Sequence, residues 1–222
     1  MKIFLDYYKN RQILADVQRI YNEQAVTAGA KEGEIRPQFS KLLPINPDIK
    51  GWITIDDTMI DYPILQAETN DFYLYRNYKR ENSRAGSIFM DYRNDVTMYN
   101  HNTVIYGHSM KDGSMFNHLK KFLEKDFLNS HQTIYFDTLY HSYDAEIFAV
   151  YQTTTDFDYI QTDFDSDEEY LTLVQQMKEK SMFATDVELD ADDPILTLST
   201  CDFMLDPDKG RLVVHAKLLK RE

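Results

Sequence analysis

The sequence predicts a mainly β protein, an antiparallel barrel or sandwich, and three features point to this class. After residue 44, short runs rich in β-branched and aromatic residues follow one another closely. Irregular stretches separate most of these runs, whereas a βαβ fold needs a helix after each strand. The chain has 222 residues, 43% hydrophobic and 27% charged, which is the composition of an ordinary folded domain. These values exclude a disordered, collagen-like or coiled-coil protein.

The segment before residue 44 carries a helical pattern over residues 3–28. Its apolar positions recur at spacings of three and four and are Leu14, Val17, Ile20 and Tyr21. A glycine-containing stretch at 29–33 supplies the stop. We expect this helix to pack on the outside of the domain. The predicted organisation is therefore an N-terminal helical segment over 1–43 and a β domain over 44–222.

Eight runs in the β domain are predicted as strands. They cover residues 52–55, 59–65, 87–90, 103–106, 133–136, 145–151, 195–200 and 212–219. Two helical patterns interrupt them. In the first, apolar residues recur at three and four from Phe116 to Phe127, with Ser114 as the candidate cap.

The second helical pattern lies in a long insert, about residues 152–194, between the sixth and seventh predicted strands. It starts with Ser166 and Glu169, the spacing of a capping box, and continues with Tyr170, Val174 and Met177 on one face. Inserts of this length in compact domains are usually functional walls or lids. This insert is also acidic, so a solvated loop is the competing interpretation.

Charge and composition exclude several partners. The 24 basic and 37 acidic residues give a net charge of −13, which disfavours binding to nucleic acid. No apolar run approaches the roughly 18 residues of a membrane helix. The six histidines form no HExxH motif, so the sequence gives little support to a zinc site. The single cysteine, Cys201, permits no internal disulfide.

Cys201 ends the predicted strand that begins at residue 195. Alternation along this strand places Leu196, Leu198 and Thr200 on one face and Thr197, Ser199 and Cys201 on the other. The apolar face can join a core, which leaves the thiol among hydroxyl groups. Structural cysteines prefer apolar neighbours, so this position indicates a nucleophile.

Two further side chains fit chemistry at a thiol. Arg211 begins the last predicted strand ten residues after Cys201, and pairing of the two strands brings its cation close to the sulfur. A fixed cation there stabilises a thiolate and an oxyanion. His108 follows Gly107 at the end of another predicted strand, so its ring lies in a loop at a strand terminus. An imidazole near a thiol is the usual pair for acyl transfer.

These motifs together resemble the sortase family of Gram-positive cysteine transpeptidases, and most closely its class B. Residues 197–201, TLSTC, are similar to the family's TLxTC strand, YGH at 106–108 is similar to its histidine loop, and Gly210-Arg211 precedes an apolar strand. His108 and Cys201 stand 93 residues apart, a spacing similar to class B. The resemblance covers about residues 10–220.

The resemblance implies an eight-stranded sortase-type β barrel, with the N-terminal helix and a helix-containing insert before the cysteine strand. It assigns His108, Cys201 and Arg211 as the catalytic residues. It also suggests a set of residues that contact a sorting peptide: Asn70 and Leu74 on one wall, Thr155, Tyr159 and Ile160 in the insert, and Ser199 and Thr200 beside the thiol. Asp202 stands where some members carry Glu.

The resemblance further implies cleavage of a C-terminal sorting motif after a Thr, through a thioester, and transfer of the protein to a peptidoglycan amine. One peptide bond replaces another, so no metal or organic cofactor is required. We expect a monomer at the outer face of a Gram-positive cell membrane. Sortases generally carry an N-terminal membrane anchor, and we expect Met1 to replace it here.

Two alternatives share some of these features. A pilus-polymerising sortase has the same three catalytic residues but takes a pilin lysine as its acceptor. A non-enzymatic β-barrel binding module with a buried cysteine belongs to another class altogether, and its thiol would react with a probe only after denaturation.

Overall fold

The structure, a computed structural model, describes residues 2–24, 33–201 and 204–221. Eight strands lie within these ranges: β1 (Ile49–Thr54), β2 (Asp61–Leu65), β3 (Ile88–Met90), β4 (Asn102–Tyr106), β5 (Thr133–Thr138), β6 (Ser142–Thr154), β7 (Ile195–Cys201) and β8 (Gly210–Lys220). They close into a barrel in the order β1-β2-β3-β4-β7-β8-β6-β5. The predicted fold class is confirmed, and each predicted strand corresponds to one of these eight.

The barrel is mainly antiparallel, with two parallel pairs. These are β2 with β3 and β4 with β7. The β4–β7 pair matters most for function, because the carboxyl ends of two parallel strands meet at the same edge of a sheet. The segment after β4 and the end of β7 therefore lie side by side. β8 pairs with β7 on one side and with β6 on the other.

Alternating apolar side chains fill the barrel. Leu196 and Leu198 of β7 and Val214 and Ala216 of β8 are fully buried in one interior cluster. This confirms which face of the cysteine strand joins the core. Each such side chain contributes about 1.5–3 kcal/mol by leaving water, less for alanine.

The helical pattern at 116–127 forms two elements rather than one. A 3-10 helix spans Phe116–Leu123, and α2 spans Lys125–Ser130. Phe116, Leu119 and Phe122 are fully buried in the barrel cluster. They recur every three residues, the repeat of a 3-10 helix, so one row of side chains faces the core.

The predicted cap at Ser114 is wrong. Met115 precedes the 3-10 helix in a left-handed conformation, with φ 58°, so the chain turns before the helix starts. The Ser114 hydroxyl instead donates to Asp112 Oδ1 at 2.6 Å. That bond closes a short local turn, which is the other use of a serine at a helix border.

Helix α1 (Lys2–Gln24) packs outside the barrel, as predicted. Val17 and Tyr21, one helical turn apart, are buried against β1, where the Tyr21 ring stacks on Trp52 at 4.0 Å. The Tyr21 hydroxyl donates to Asp137 at 2.6 Å. No helix in the described ranges is long and apolar enough to cross a membrane. The division of the chain at residue 44 stays a prediction.

The insert starts later than predicted. β6 pairs along β8 as far as Thr154 with Gly210, so residues 152–154 belong to the barrel and the insert spans 155–194. β6 continues beyond its apolar residues because its backbone pairs with the long strand β8. Within the insert, α3 spans Asp167–Lys180.

Helix α3 starts at the predicted cap. Ser166 Oγ accepts from the Glu169 amide at 3.2 Å. The reciprocal bond differs from a capping box, because Glu169 accepts from the Asp165 amide at 2.7 Å. The face carrying Tyr170, Val174 and Met177 is buried over β6, β7 and β8 in a second cluster outside the barrel.

Candidate active site

The β4–β7 register places His108 beside Cys201. Tyr106 is paired with Ser199, and the Gly107 amide donates to the Ser199 carbonyl at 3.2 Å. His108 and Cys201 are the second residues beyond that pair on the two parallel strands. The two side chains therefore lie at the same edge of the barrel, although 93 residues separate them in the chain.

Arg211 lies on the other side of Cys201. The two residues are direct partners in the antiparallel β7–β8 ladder, which confirms the pairing on which the sequence argument depended. Arg211 Nη1 donates to the carbonyls of Gly210 at 2.8 Å and Asp208 at 3.3 Å. These bonds orient the guanidinium at the β7–β8 turn. Cys201 therefore sits between an imidazole and a guanidinium supplied by its two neighbouring strands.

The His108 ring is held in one orientation. Its Nε2 lies 2.8 Å from the Leu74 carbonyl, and its ring lies 5.7 Å from the ring of Tyr75. A carbonyl only accepts, so Nε2 carries a proton in this arrangement. Nδ1 is then the ring nitrogen that carries the lone pair. This geometry suits a general acid that becomes a general base.

Gly107 lets this loop lie close to the barrel. A Cβ at Gly107 would come within 2.4 Å of Ile88 Cδ1 and 2.9 Å of the Phe116 ring. Real atoms do not approach so closely, so a larger residue would displace the loop. The glycine before His108 is therefore a packing requirement.

The insert covers most of the outer face of β7 and leaves the thiol accessible. Thr197 and Ser199 are buried there, whereas Cys201 is half-buried. The Tyr159 hydroxyl and the Ser199 hydroxyl are 2.8 Å apart. Burial raises the pKa of Tyr159, and the charges of Arg211 and Cys201 lie near enough to act on it. Tyr159 thus lies near the candidate catalytic residues Cys201 and Arg211.

Of the other predicted contact residues, Leu74 and Thr155 lie at the same edge, whereas Asn70 contacts Asp91 beside the middle of β4. Leu74 is connected to His108 through its carbonyl. Asn70 donates to Asp91 at 3.0 Å and accepts from the Tyr92 amide at 3.0 Å. Thr155 is exposed, and its amide donates to the Lys209 carbonyl at 3.1 Å.

Thr200 is placed differently from the other contact candidates. It is buried, it shares its strand face with Leu196 and Leu198, and its Oγ1 is buried without a hydrogen-bond partner. The peptide contacts assigned to this residue and to the rest of the set stay predictions. Asp202 lies outside the described residues.

Sequence reasoning missed three polar residues that contact predicted site residues from positions nearer the start of β4 than His108: Asp91, Arg93 and Asn102. Asp91 directly follows the apolar run of β3, and Asn102 starts β4. A carboxylate or amide at the border of an apolar strand next to the histidine strand was the available signal. No three His, Cys, Asp or Glu side chains within the described ranges come together as a metal site requires.

A closed barrel that presents a thiol between an imidazole and a guanidinium defines a cysteine-dependent acyltransferase. Comparison with known proteins gives the same result. Residues 53–219 match the family model described as "Sortase domain". The chain is 47% identical to Sortase B of Listeria monocytogenes over 99% of this chain and 90% of that protein.

Solved structures are similar over nearly the whole chain. Sortase B of Bacillus anthracis in complex with AAEK2 is 56% identical, with a TM-score of 0.90 over 97% of this chain and 98% of that one. A Staphylococcus aureus sortase B–substrate complex is 37% identical, with a TM-score of 0.89 over 98% of this chain and 100% of that one. The chain belongs to the sortase family and is a cysteine transpeptidase of the sortase B type. The predicted resemblance is confirmed, and the non-enzymatic binding module is excluded.

Proposed function

We propose that this transpeptidase cleaves a C-terminal sorting motif after a Thr, holds the product as a thioester on Cys201, and transfers it to a peptidoglycan amine. The observation that carries the proposal is the position of Cys201, with His108 adjacent on the β4 side and Arg211 paired with it on β8. Each step of acyl transfer through sulfur needs one of these groups.

In the first step, the Cys201 sulfur, with its proton transferred to His108, attacks the carbonyl carbon of the Thr. A C–S bond forms, and the carbonyl oxygen takes the negative charge, which the Arg211 guanidinium stabilises. His108 then protonates the leaving amine, and the C–N bond breaks. The product is a thioester on Cys201 and a free amine peptide.

In the second step, the acceptor amine attacks the thioester carbon. His108 now accepts a proton from the incoming amine, and the C–S bond breaks to restore the sulfur of Cys201. The same imidazole acts first as acid and then as base, a double role that histidine commonly takes in acyl transfer. One amide bond is exchanged for another, so no external energy is needed.

The sorting peptide would lie across this edge of the barrel. Asn70 and Leu74 form one wall, and the insert residues Thr155, Tyr159 and Ile160 form the other. The similarity to a relative solved as a substrate complex supports a groove at this place. Ser199 and Thr200 complete the set beside the thiol, with Ser199 acting through its contact with Tyr159.

The reaction also implies a location and partners. Sorting-motif proteins and peptidoglycan precursors meet outside the cytoplasmic membrane of a Gram-positive cell, so the enzyme acts there. An N-terminal anchor would be its contact with the membrane. Nucleic acid plays no part, and we expect the catalytic unit to act as a monomer.

Mass spectrometry after incubation with a panel of sorting peptides tests the proposal. We expect an adduct on Cys201 whose mass equals the peptide cleaved after its Thr. The Cys201→Ala variant should form no adduct, and His108→Ala should form almost none. Ser130→Ala, a change in an exposed residue at the end of α2, is the control and should behave as wild type.

Two results would contradict the mechanism. Transfer by Cys201→Ala at about a tenth of the wild-type rate would exclude the covalent thioester. Preference for a pilin lysine over a peptidoglycan amine, when both are supplied, would replace the proposed acceptor by that of a pilus-polymerising enzyme.

A further inference from the structure

Three consecutive carbonyl groups in the insert are each held by a side chain from another part of the chain. Asn102 Nδ2 donates to the Tyr159 carbonyl at 3.2 Å and to the Gln161 carbonyl at 2.9 Å. Arg93 Nη2 donates to the Ile160 carbonyl at 2.9 Å. A loop usually satisfies its carbonyls with water, so three successive carbonyls bound by two side chains are a specific arrangement.

The Asn102 side chain is held in place by a hydrogen bond on the side away from the insert. It is fully buried at the start of β4, and its Oδ1 accepts from the Thr197 hydroxyl at 2.7 Å. Its amide nitrogen must therefore face the insert, because two carbonyls need a donor there. Both Nδ2 hydrogens are used on residues 159–161. This side chain anchors the insert to the strand next to the cysteine strand.

Arg93 is fixed by a fully buried carboxylate. Asp91 Oδ1 accepts from Arg93 Nε at 2.8 Å, and Asp91 Oδ2 accepts from Arg93 Nη2 at 2.9 Å. This is the two-point geometry that only a guanidinium provides. The same Nη2 reaches the Ile160 carbonyl, so the arginine bridges Asp91 and the insert.

Asp91 also binds Asn70, which belongs to the other wall of the proposed peptide groove. Its Oδ2 accepts from Asn70 Nδ2 at 3.0 Å and from the Tyr106 hydroxyl at 2.8 Å. Burial alone opposes ionisation of Asp91, but the hydrogen bonds from Arg93, Tyr106 and Asn70 outweigh it and lower its pKa. The carboxylate therefore stays charged and accepts from all of its partners. One buried group connects Asn70 and, through Arg93, Ile160.

We propose that Asp91, Arg93 and Asn102 are positioning residues that hold segment 159–161 and Asn70 at a fixed separation and thereby determine how tightly the enzyme captures its peptide. We call these three residues the groove clamp. The inference rests on the proposed function, because it takes Asn70 and Ile160 as opposite walls of the peptide groove. None of the three is a catalytic residue, since none touches Cys201, His108 or Arg211.

The physical effect of the groove clamp is preorganisation. A wall that is already ordered does not lose conformational freedom when the peptide binds, so more of the contact energy appears as affinity. Loosening the clamp should weaken capture of the peptide and leave the chemistry on bound peptide nearly unchanged. This separates a positioning role from a merely structural one.

The Arg93→Lys variant tests the inference. Lysine keeps the charge but cannot bind both oxygens of Asp91 and the Ile160 carbonyl in one plane. We expect the acylation rate at low peptide concentration to fall about tenfold. The rate at saturating peptide should stay within about twofold of wild type, as should alkylation of Cys201 by a small reagent.

Arg36→Lys is the matched control. Arg36 also pairs with a carboxylate, Asp137, at 3.1 Å, and both side chains are largely buried, but the pair lies where α1 meets the barrel. Arg36→Lys should change neither the dependence of the acylation rate on peptide concentration nor the rate of Cys201 alkylation. An equal effect of the two lysine substitutions would show general destabilisation and overturn the inference.

The Asp91→Asn variant provides a second test. It keeps the shape of the side chain and removes the charge that orients Arg93. It should weaken peptide capture as Arg93→Lys does, and the double variant should be no worse than the stronger single one, because the two act through one contact. Additive effects would show that the residues act separately and would contradict the groove clamp.

Hydrogen exchange separates failure of the inference from failure of the proposed function. In both single variants, amides in the peptide covering 157–163 should exchange faster, while those of β8 should not change. If no sorting peptide acylates the wild-type enzyme, the proposed function fails and the groove role fails with it. If acylation occurs but Arg93→Lys leaves both the exchange and the peptide dependence unaltered, the function stands and the groove clamp is refuted.

Discussion

Lowering the pH from 7 to 5 should destabilise the fold through His215. This side chain is fully buried between β6 and β7. Its Nε2 lies 2.7 Å from the Tyr151 hydroxyl and its Nδ1 lies 2.8 Å from Thr197 Oγ1. Thr197 donates its own proton to Asn102, so Nδ1 of His215 carries the proton and Nε2 accepts from Tyr151. A neutral imidazole with its proton on Nδ1 satisfies every bond of this network.

The magnitude follows from the shift in pKa. Burial lowers the pKa of His215 from 6.5 to about 3. In the unfolded chain the imidazole gains a proton as the pH falls below 6.5, whereas in the folded protein it stays neutral, so the free energy of unfolding decreases with falling pH in this window. At pH 5 the loss is about 2 kcal/mol.

Urea unfolding, followed by the fluorescence of Trp52, the single tryptophan, measures this loss at pH 7, 6 and 5. Two other histidines titrate in the same window with opposite signs. Burial lowers the pKa of His118, while the hydrogen bond that His131 donates to Asp57 raises the pKa of His131. Stabilisation by His131 is complete below pH 6.5 and is lost as the pH rises through its raised pKa. The contribution of His215 therefore needs a variant.

His215→Gln isolates the effect. Glutamine has no proton to gain in this range, so the variant should be less stable at pH 7 but should lose about 2 kcal/mol less than wild type between pH 7 and pH 5. Hydrogen bonds outweigh burial and hold the pKa of Asp91 below its ordinary value of 3.8, so this carboxylate does not contribute in this window. If wild type and His215→Gln lose the same free energy over these two pH units, His215 is not held neutral and the reasoning is refuted.

Two further predictions concern the active site. Arg211→Lys should lower the acylation rate at saturating peptide at least about a hundredfold. An ammonium group cannot stabilise the oxyanion and bind the Gly210 carbonyl at the same time, as the planar guanidinium can. Near-normal activity would reduce Arg211 to a general electrostatic role. Substitution of both Tyr159 and Ile160 by Ala should lower acylation at low peptide concentration, while alkylation of Cys201 by a small reagent continues. Equal loss of both reactivities would show that the insert supports the catalytic geometry itself.

Local patterns in the sequence were sufficient to predict most of the helices and strands. Each of the eight strands is visible as a β-rich run, because alternation along a strand depends only on which face is buried. Ser166 was recognisable as a cap because its partner, the Glu169 amide, is three residues away. The three catalytic candidates stand at strand borders, and the family resemblance assigned their roles. The sequence pattern also indicated the 3-10 helix, because Phe116, Leu119 and Phe122 are each three residues apart. We predicted an α-helix there because the apolar spacing later includes steps of four.

Only the tertiary structure decided how these pieces meet. The parallel pairing of β4 with β7 brings His108 to Cys201, and such a pairing between distant segments leaves no periodic mark in either of them. β6 extends to Thr154 because β8 lies beside it, not because of its own residues. The groove clamp depends on Asp91, Arg93 and Asn102, which lie more than fifty residues before segment 159–161 in the chain. Asp91 and Asn102 are fully buried, which strengthens their hydrogen bonds, and burial of that kind is a property of the whole barrel.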